Sequence, residues 1–271
     1  MKIRLLRHAT LLLEYSGQRF LVDPMLSPAG EMPPVENTPN QKHNPLVELP
    51  MPAEKVSDGV EAVLVTHTHS DHWDAAAAKV LPRQLPFFVQ PEDAAKIGDQ
   101  GFHNLQVMPG NIRRVFRTPQ GEEDSGTFHG MLSWRGIGLF RTGGEHGKGS
   151  IGRKMGPVSG FILRAPGEKV LYIAGDTVWC DAVSDTLNAY SPEVIVLNAG
   201  AAQFLQGKPI TMAGDDVVDV CQAAPGAKVV AVHMEAFNHC LLTRQQLRES
   251  LKDIHVNEQV HIPADGETLE F

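Results

Sequence analysis

The segment Thr66-His67-Thr68-His69-Ser70-Asp71-His72 crowds three imidazoles and a carboxylate into one short stretch. Neutral imidazole nitrogen and carboxylate oxygen are good ligands for zinc and other first-row divalent ions. The two-residue step from His67 to His69 points both rings the same way from an extended backbone, and Asp71 and His72 then face a second ion nearby. A fortuitous polar turn is the competing explanation, but four such groups on one turn favour a metal site. Later groups extend the set: His146 in Gly143-Gly144-Glu145-His146-Gly147, Asp176 in Ala174-Gly175-Asp176-Thr177, and His233 after the apolar run 229–232. Each follows an apolar strand or precedes a glycine-rich turn. Alone, His146 reads as an ordinary surface histidine and Asp176 as a helix N-cap; their force comes from the series. His129, His239, His43 and His103 compete, and the glycines around His146 together with the strand at 138–140 favour His146.

These groups need elements to hold them. Apolar runs at 3–6, 11–15 and 20–22 predict short antiparallel strands, followed by a long Pro-, Asn- and Glu-rich loop at 24–52 near the site mouth. The run 60–66 predicts a strand and the Ala-rich stretch 73–81 a helix, so the His/Asp segment lies on a strand-to-helix turn. Beyond a strand at 87–90 and a helix at 92–97, a second meander is expected at 113–118, 131–135 and 138–142. A hairpin at 158–164 and 169–174 then leads directly into Asp176. The last third alternates helix (181–190, 215–223, 243–254) with strand (194–198, 228–233, 259–262). Strands early and late with helices interspersed predict an α/β protein with two sheets packed face to face and helices outside, an αββα sandwich. A single domain over 1–271 is expected from the length.

Composition narrows the function. A formal net charge of −8 and no Lys/Arg block argue against a nucleic-acid backbone or an anionic membrane as the main partner. Cys180, Cys221 and Cys240 share no metal-knuckle spacing and point to reduced thiols in a cytoplasmic protein. The apolar stretch 11–13 is cut off by Glu14, too short for a signal-peptide core or a membrane span. No G-x-S-x-G elbow and no Walker-type or dinucleotide-type loop occurs.

In order, His67-x-His69-x-Asp71-His72, His146, Gly175-Asp176-Thr177 and His233 resemble the signature of the metallo-β-lactamase superfamily over nearly the whole chain. Arg7-His8-Ala9-Thr10, Val22-Asp23-Pro24 and His233-Met234-Glu235 further resemble the branch that contains L-ascorbate-6-phosphate lactonase. The resemblance implies a four-layered αββα sandwich. It implies two divalent ions, zinc first with manganese or iron as alternatives: His67, His69 and His146 on one, Asp71, His72 and His233 on the other, Asp176 bridging. Asp23 would orient a ligand histidine, or merely start an Asp-Pro turn. His8 stands outside the metal set as a core histidine near the rim. Glu235 and His239 are candidate substrate contacts. Two ions sharing a water lower its pKa from about 15.7 toward about 7, which makes hydrolysis the reaction class. Asp71, the candidate catalytic residue, would orient that water and receive its proton. His69 stands where flavodiiron-type relatives usually carry Glu, which disfavours that redox chemistry. The expected substrate is a small lactone, ester, thioester or phosphodiester; the other reading is a non-hydrolytic metal-binding protein with a structural, sensory or redox role. A homo-oligomer is compatible with the sequence.

Overall fold

The computed structural model describes residues 1–118, 121–252, 254, 256 and 258–271, without the side chains of 111–118 and 121–129. The strands are β1 (Lys2–Arg7), β2 (Thr10–Tyr15), β3 (Gln18–Val22), β4 (Ala62–Val65), β5 (Phe87–Val89), β6 (Leu105–Val107), β7 (Asn111–Thr118) and β8 (Gly121–His129). They continue as β9 (Met131–Trp134), β10 (Ile137–Thr142), β11 (Gly160–Arg164), β12 (Leu171–Ile173), β13 (Val194–Asn198), β14 (Lys228–Val232), β15 (Val260–His261) and β16 (Thr268–Glu270). The helices are α1 (Ala75–Val80), α2 (Pro91–Asp99), α3 (Gly149–Met155), α4 (Asp181–Tyr190), α5 (Gly214–Ala223) and α6 (Arg244–Leu251).

One seven-stranded sheet runs β16-β1-β2-β3-β4-β5-β6 and the other β15-β14-β13-β12-β11-β10-β9. Each is antiparallel at one end and parallel at the other: β1 to β3 form a meander and β3 to β6 run parallel, while β9 to β12 form a meander and β12 to β15 run parallel. Period-two alternation sorts side chains between the layers. Leu11, Leu13, Phe20, Phe161, Ile173, Val196 and Val230 meet between the sheets. Leu12, Leu21, Val63 and Val65 point outward onto α1 and the buried rings of Trp73 and Phe102, while Tyr172, Ile195, Leu197 and Val229 point onto α4, α5 and α6. Both faces of each sheet are covered, which is why the strands read as nearly continuous apolar runs. The result is the αββα arrangement.

Local chemistry sets the element ends near the site. Asp74 caps α1 by accepting the Ala77 N–H at 2.8 Å, and Pro82 ends it. The expected helix from 73 therefore starts two residues later, with Trp73 buried against Phe87 and Phe102. The second meander differs from expectation as well: β9 and β10 pair, but β7 pairs with β8 in a separate two-stranded ribbon. Helix α3 was not foreseen, because its two glycines depress helix propensity. Short β6 and β16 each complete an existing sheet edge without a periodic signal of their own. Among the described residues no helix is long and apolar enough to cross a membrane.

Candidate metal centre

The site lies where chains leave the sheets. His67, His69, Asp71 and His72 follow β4, His146 follows β10, Asp176 follows β12 and His233 follows β14. β4, β12 and β14 belong to the parallel parts of their sheets, whose carboxyl ends are the usual place for a ligand in α/β folds. Gly175 sets up Asp176: its φ is +69° and a Cβ there would sit 2.4 Å from the Ser159 carbonyl oxygen, so only glycine lets the chain turn. His8, Asp23 and His233 themselves take positive φ (59°, 41° and 70°), each just past a strand end. Non-glycine residues rarely sit there, and such strain concentrates at functional sites. The His233 N–H donates to the His8 carbonyl at 2.9 Å, which stitches the two sheets together beside the cluster.

All seven predicted ligand groups come together. Ligand atoms of His67, His69 and His146 lie within 4.8 Å of one another, and so do those of Asp71, His72, His233 and His8. Asp176 stands between them. Its Oδ2 faces His146 Nε2 at 3.5 Å and His67 Nε2 at 3.9 Å, while its Oδ1 faces His72 Nε2 and His233 Nε2, both at 3.3 Å. Asp176 is no helix cap, since α4 starts at Asp181 behind Cys180. Its Oδ1 also accepts the Asn198 side-chain N–H at 2.7 Å, which holds the carboxylate from β13.

The ring nitrogens that face away from the cluster are committed. His72 Nδ1 meets Asp23 Oδ2 at 2.8 Å, His146 Nδ1 meets the Ile210 carbonyl at 2.9 Å, and His233 Nδ1 meets Cys240 Sγ at 3.5 Å. His67 Nδ1 meets Thr66 Oγ1 at 3.1 Å, and that hydroxyl donates to Asp23 Oδ2 at 2.7 Å. In its neutral form, with the N–H spent outward, each of these imidazoles turns a lone pair inward. The inward atoms then stand close: His67 Nε2 to His69 Nδ1 is 2.9 Å, and His72 Nε2 to His233 Nε2 is 3.2 Å. Contacts that short need a proton or a cation between the two nitrogens. The donor set, five imidazole nitrogens and the Asp71 carboxylate plus the Asp176 carboxylate shared across both groups, therefore fits divalent cations.

Electrostatics agree. Burial alone would raise Asp71 and Asp176, yet the surrounding imidazoles, His72 first for Asp71 and His233 first for Asp176, hold both well below the usual carboxylate range. Burial pushes His67 and His146 down, favouring the neutral ligand form. His72 overcomes burial and is raised to about 10 by Asp176, Asp23 and Asp71, so it carries a proton that a cation would have to displace.

Other predicted residues fall as follows. His239 is buried beside the cluster, with Nε2 3.7 Å from Asp71 Oδ2, and burial lowers it to about 4. Both oxygens of Glu235 accept from Arg244, from its backbone N–H at 3.0 Å and its guanidinium at 2.5 Å. His43 and His103 are exposed elsewhere, and the side chain of His129 lies outside the described residues. Sequence reasoning left out Thr66, Asn198, Ile210 and Cys240. A polar residue closing an apolar strand was the available signal for Asn198; Ile210 and Cys240 act through a carbonyl and a sulfur on loops and gave none.

The Beta-lactamase superfamily domain family matches residues 18–234. UPF0173 protein YddR of Bacillus subtilis (strain 168) is 39% identical over 274 residues, covering 100% of both chains. Isothiocyanate hydrolase from Delia radicum gut bacteria shares the fold with a TM-score of 0.88 and 36% identity, over 100% of this chain and 99% of that one. A possible metal-dependent hydrolase from Veillonella parvula DSM 2008 superposes with a TM-score of 0.89 at 34% identity, over 99% and 98% of the two chains. These relatives lend no support to the lactonase branch in particular. With the fold, the convergent His/Asp cluster and these likenesses together, the chain belongs to the metallo-β-lactamase superfamily and is a metal-dependent hydrolase.

Proposed function

We propose that the chain hydrolyses a small, uncharged carbon electrophile at a centre of two divalent ions, zinc first and manganese or iron next. His67, His69 and His146 would hold one ion, Asp71, His72 and His233 the other, with Asp176 between. The observation that carries this reading is the division of Asp176, one oxygen toward each set of imidazoles. Bound there, such ions supply Lewis acidity, which lowers the pKa of water and stabilises a developing oxyanion.

The chain's own residues do the rest. The Asp71 carboxylate, buried and held anionic, is the acceptor for the nucleophile's proton and passes it on to the leaving group. Asp23 fixes the ring of His72 directly and that of His67 through Thr66, so a single buried carboxylate orients both sets. His239 borders Asp71, where it would contact substrate.

The branch resemblance favours a lactone or a phosphoester; the likeness to an isothiocyanate hydrolase adds the isothiocyanate carbon and tips the choice toward a carbon centre. A phosphodiester ranks lower. Lys96 is held by the Thr68 carbonyl at 2.6 Å and Arg141 by Ser159 Oγ at 2.6 Å, which leaves, among the described residues, Arg153, in the pocket beside His146, as the cation a phosphate would meet there. A cytoplasmic location goes with this reading, as does a small-molecule partner.

The test is elemental analysis of protein from metal-supplemented cells, paired with turnover of aryl isothiocyanates, lactones, esters and phosphodiesters before and after chelation. Near two metals per chain with chelator-sensitive turnover of a carbon electrophile is the expected result. One tightly held metal with no turnover of any substrate would replace the hydrolytic reading of the site with a structural or sensory one.

A further inference from the structure

His8 is fully buried at the end of β1, outside the set of predicted ligands, yet its Nε2 lies 3.3 Å from Asp71 Oδ2. Its ring packs on that of His233 with centroids 3.6 Å apart, and the Phe237 ring lies 4.9 Å away. Two roles compete for such a residue: a further metal ligand, or a donor that holds Asp71.

The far side of the ring separates them. His67, His72, His146 and His233 each have a partner at Nδ1, as ligating histidines almost always do. His8 Nδ1 is buried with no partner. A neutral imidazole carries a single N–H, and a buried N–H is rarely left unpaired, whereas an unused lone pair is tolerated more readily. The proton of His8 therefore belongs on Nε2, where Asp71 Oδ2 accepts it. His239 also lacks a partner at Nδ1, but its Nε2 stands 3.7 Å from the same oxygen, beyond hydrogen-bond reach.

We infer that His8 is a positioning residue for Asp71: its Nε2–H occupies one lone pair of Oδ2 and aims the other into the cluster. This rests on the catalytic reading of Asp71 given above. The same residue ties that carboxylate, carried by one sheet, to His233, carried by the other, because the His8 carbonyl accepts the His233 N–H. The reaction geometry is thus set across the seam between the sheets.

The test uses two substitutions that differ in where they present an N–H. H8Q places its amide near the position of Nε2, and H8N near that of Nδ1. At φ +59° asparagine suits the backbone better, so a purely structural role predicts that H8N is the milder change. The positioning role predicts the reverse. H8N should lower kcat by about 10–100-fold, the usual cost of losing an outer partner, with KM little changed, and should alter the visible spectrum of the cobalt-substituted protein. H8Q should recover most of that loss and the parent spectrum. An H8N enzyme as active as H8Q or more so would overturn the inference. Long-range nitrogen–proton NMR on histidine-labelled wild-type protein decides it without any variant. An Nε2–H tautomer at His8, in metal-free and zinc-loaded protein alike, supports the inference. An Nδ1–H tautomer, or a His8 Nε2 resonance that moves to a metal-bound position on zinc addition, overturns it. A wild-type chain that binds no metal and turns nothing over would sink the hydrolase reading instead, and the tautomer would still be read.

Discussion

The two halves of the cluster are built to different tightness. Around His67, His69 and His146 the outer partners are neutral, a threonine hydroxyl and the Ile210 carbonyl, and His69 stays partly exposed. Around Asp71, His72 and His233 every group is buried, a carboxylate backs His72, and two extra imidazoles, His8 and His239, press on Asp71. Neutral acceptors tune a ligand gently and leave room; a buried carboxylate makes its histidine a stronger donor. The difference points to a first half that receives substrate and a second half that holds charge and proton.

Breaking what the halves share should have the largest effect. Asp176→Ala removes the carboxylate that faces both sets and strands Asn198, so turnover should fall by more than about a hundredfold, above the range of an outer-partner loss. Elemental analysis should show both metals depleted together; loss of one metal alone would mean that the halves fill independently. Asp23→Asn comes next. It weakens the support of His72 directly and of His67 through Thr66, and should cost about 10–100-fold in metal affinity by chelator competition. Thr66→Val interrupts only the branch to His67, so the two substitutions combined should cost little more than Asp23→Asn alone, a non-additivity that a double-mutant cycle measures.

How much of this was legible follows from the kind of contact involved. The ligand residues announce themselves because metal chemistry demands particular side chains, and the strand runs because burial demands apolar ones. The loop at 24–52 gave no pattern because its order comes from three buried side chains far away in sequence. Arg7 donates to the carbonyls of Val47, Met25 and Ser27, Asp74 accepts the N–H groups of Leu26 and Ser27, and Asn238 bonds to Val35, Thr38, Asn40 and Asn44. Each is a side chain bonded to backbone, a hydroxyl or another amide across the fold, and nothing in local composition marks it. β7 and β8 show the converse: an alternating run was visible at 113–118, but its pairing partner at 121–129 lacks apolar alternation and was missed. Asn238 gives a further prediction, since it adjoins His239 in sequence and holds Val35, Thr38, Asn40 and Asn44 of the loop. Asn238→Ala should destabilise the protein by about 1–3 kcal/mol through unpaired buried groups, seen as a fall of a few degrees in Tm. It should raise KM more than it lowers metal content.

The smallest effect belongs to Cys240, which tests how far the second half depends on its weakest outer partner. Its sulfur lies 3.5 Å from His233 Nδ1, and burial holds the thiol well above its ordinary range, so the neutral thiol rather than a thiolate faces the ring. A thiol sulfur is a weak acceptor, and the orientation of His233 is fixed in addition by its N–H bond to His8 and by packing on the His8 ring. Cys240→Ser should therefore change metal affinity by no more than about threefold, less than one neutral hydrogen bond. A tenfold loss would mean that the sulfur carries the orienting role that Asp23 has for His72, and the contrast between a charged outer partner and a soft one would collapse into two equal supports.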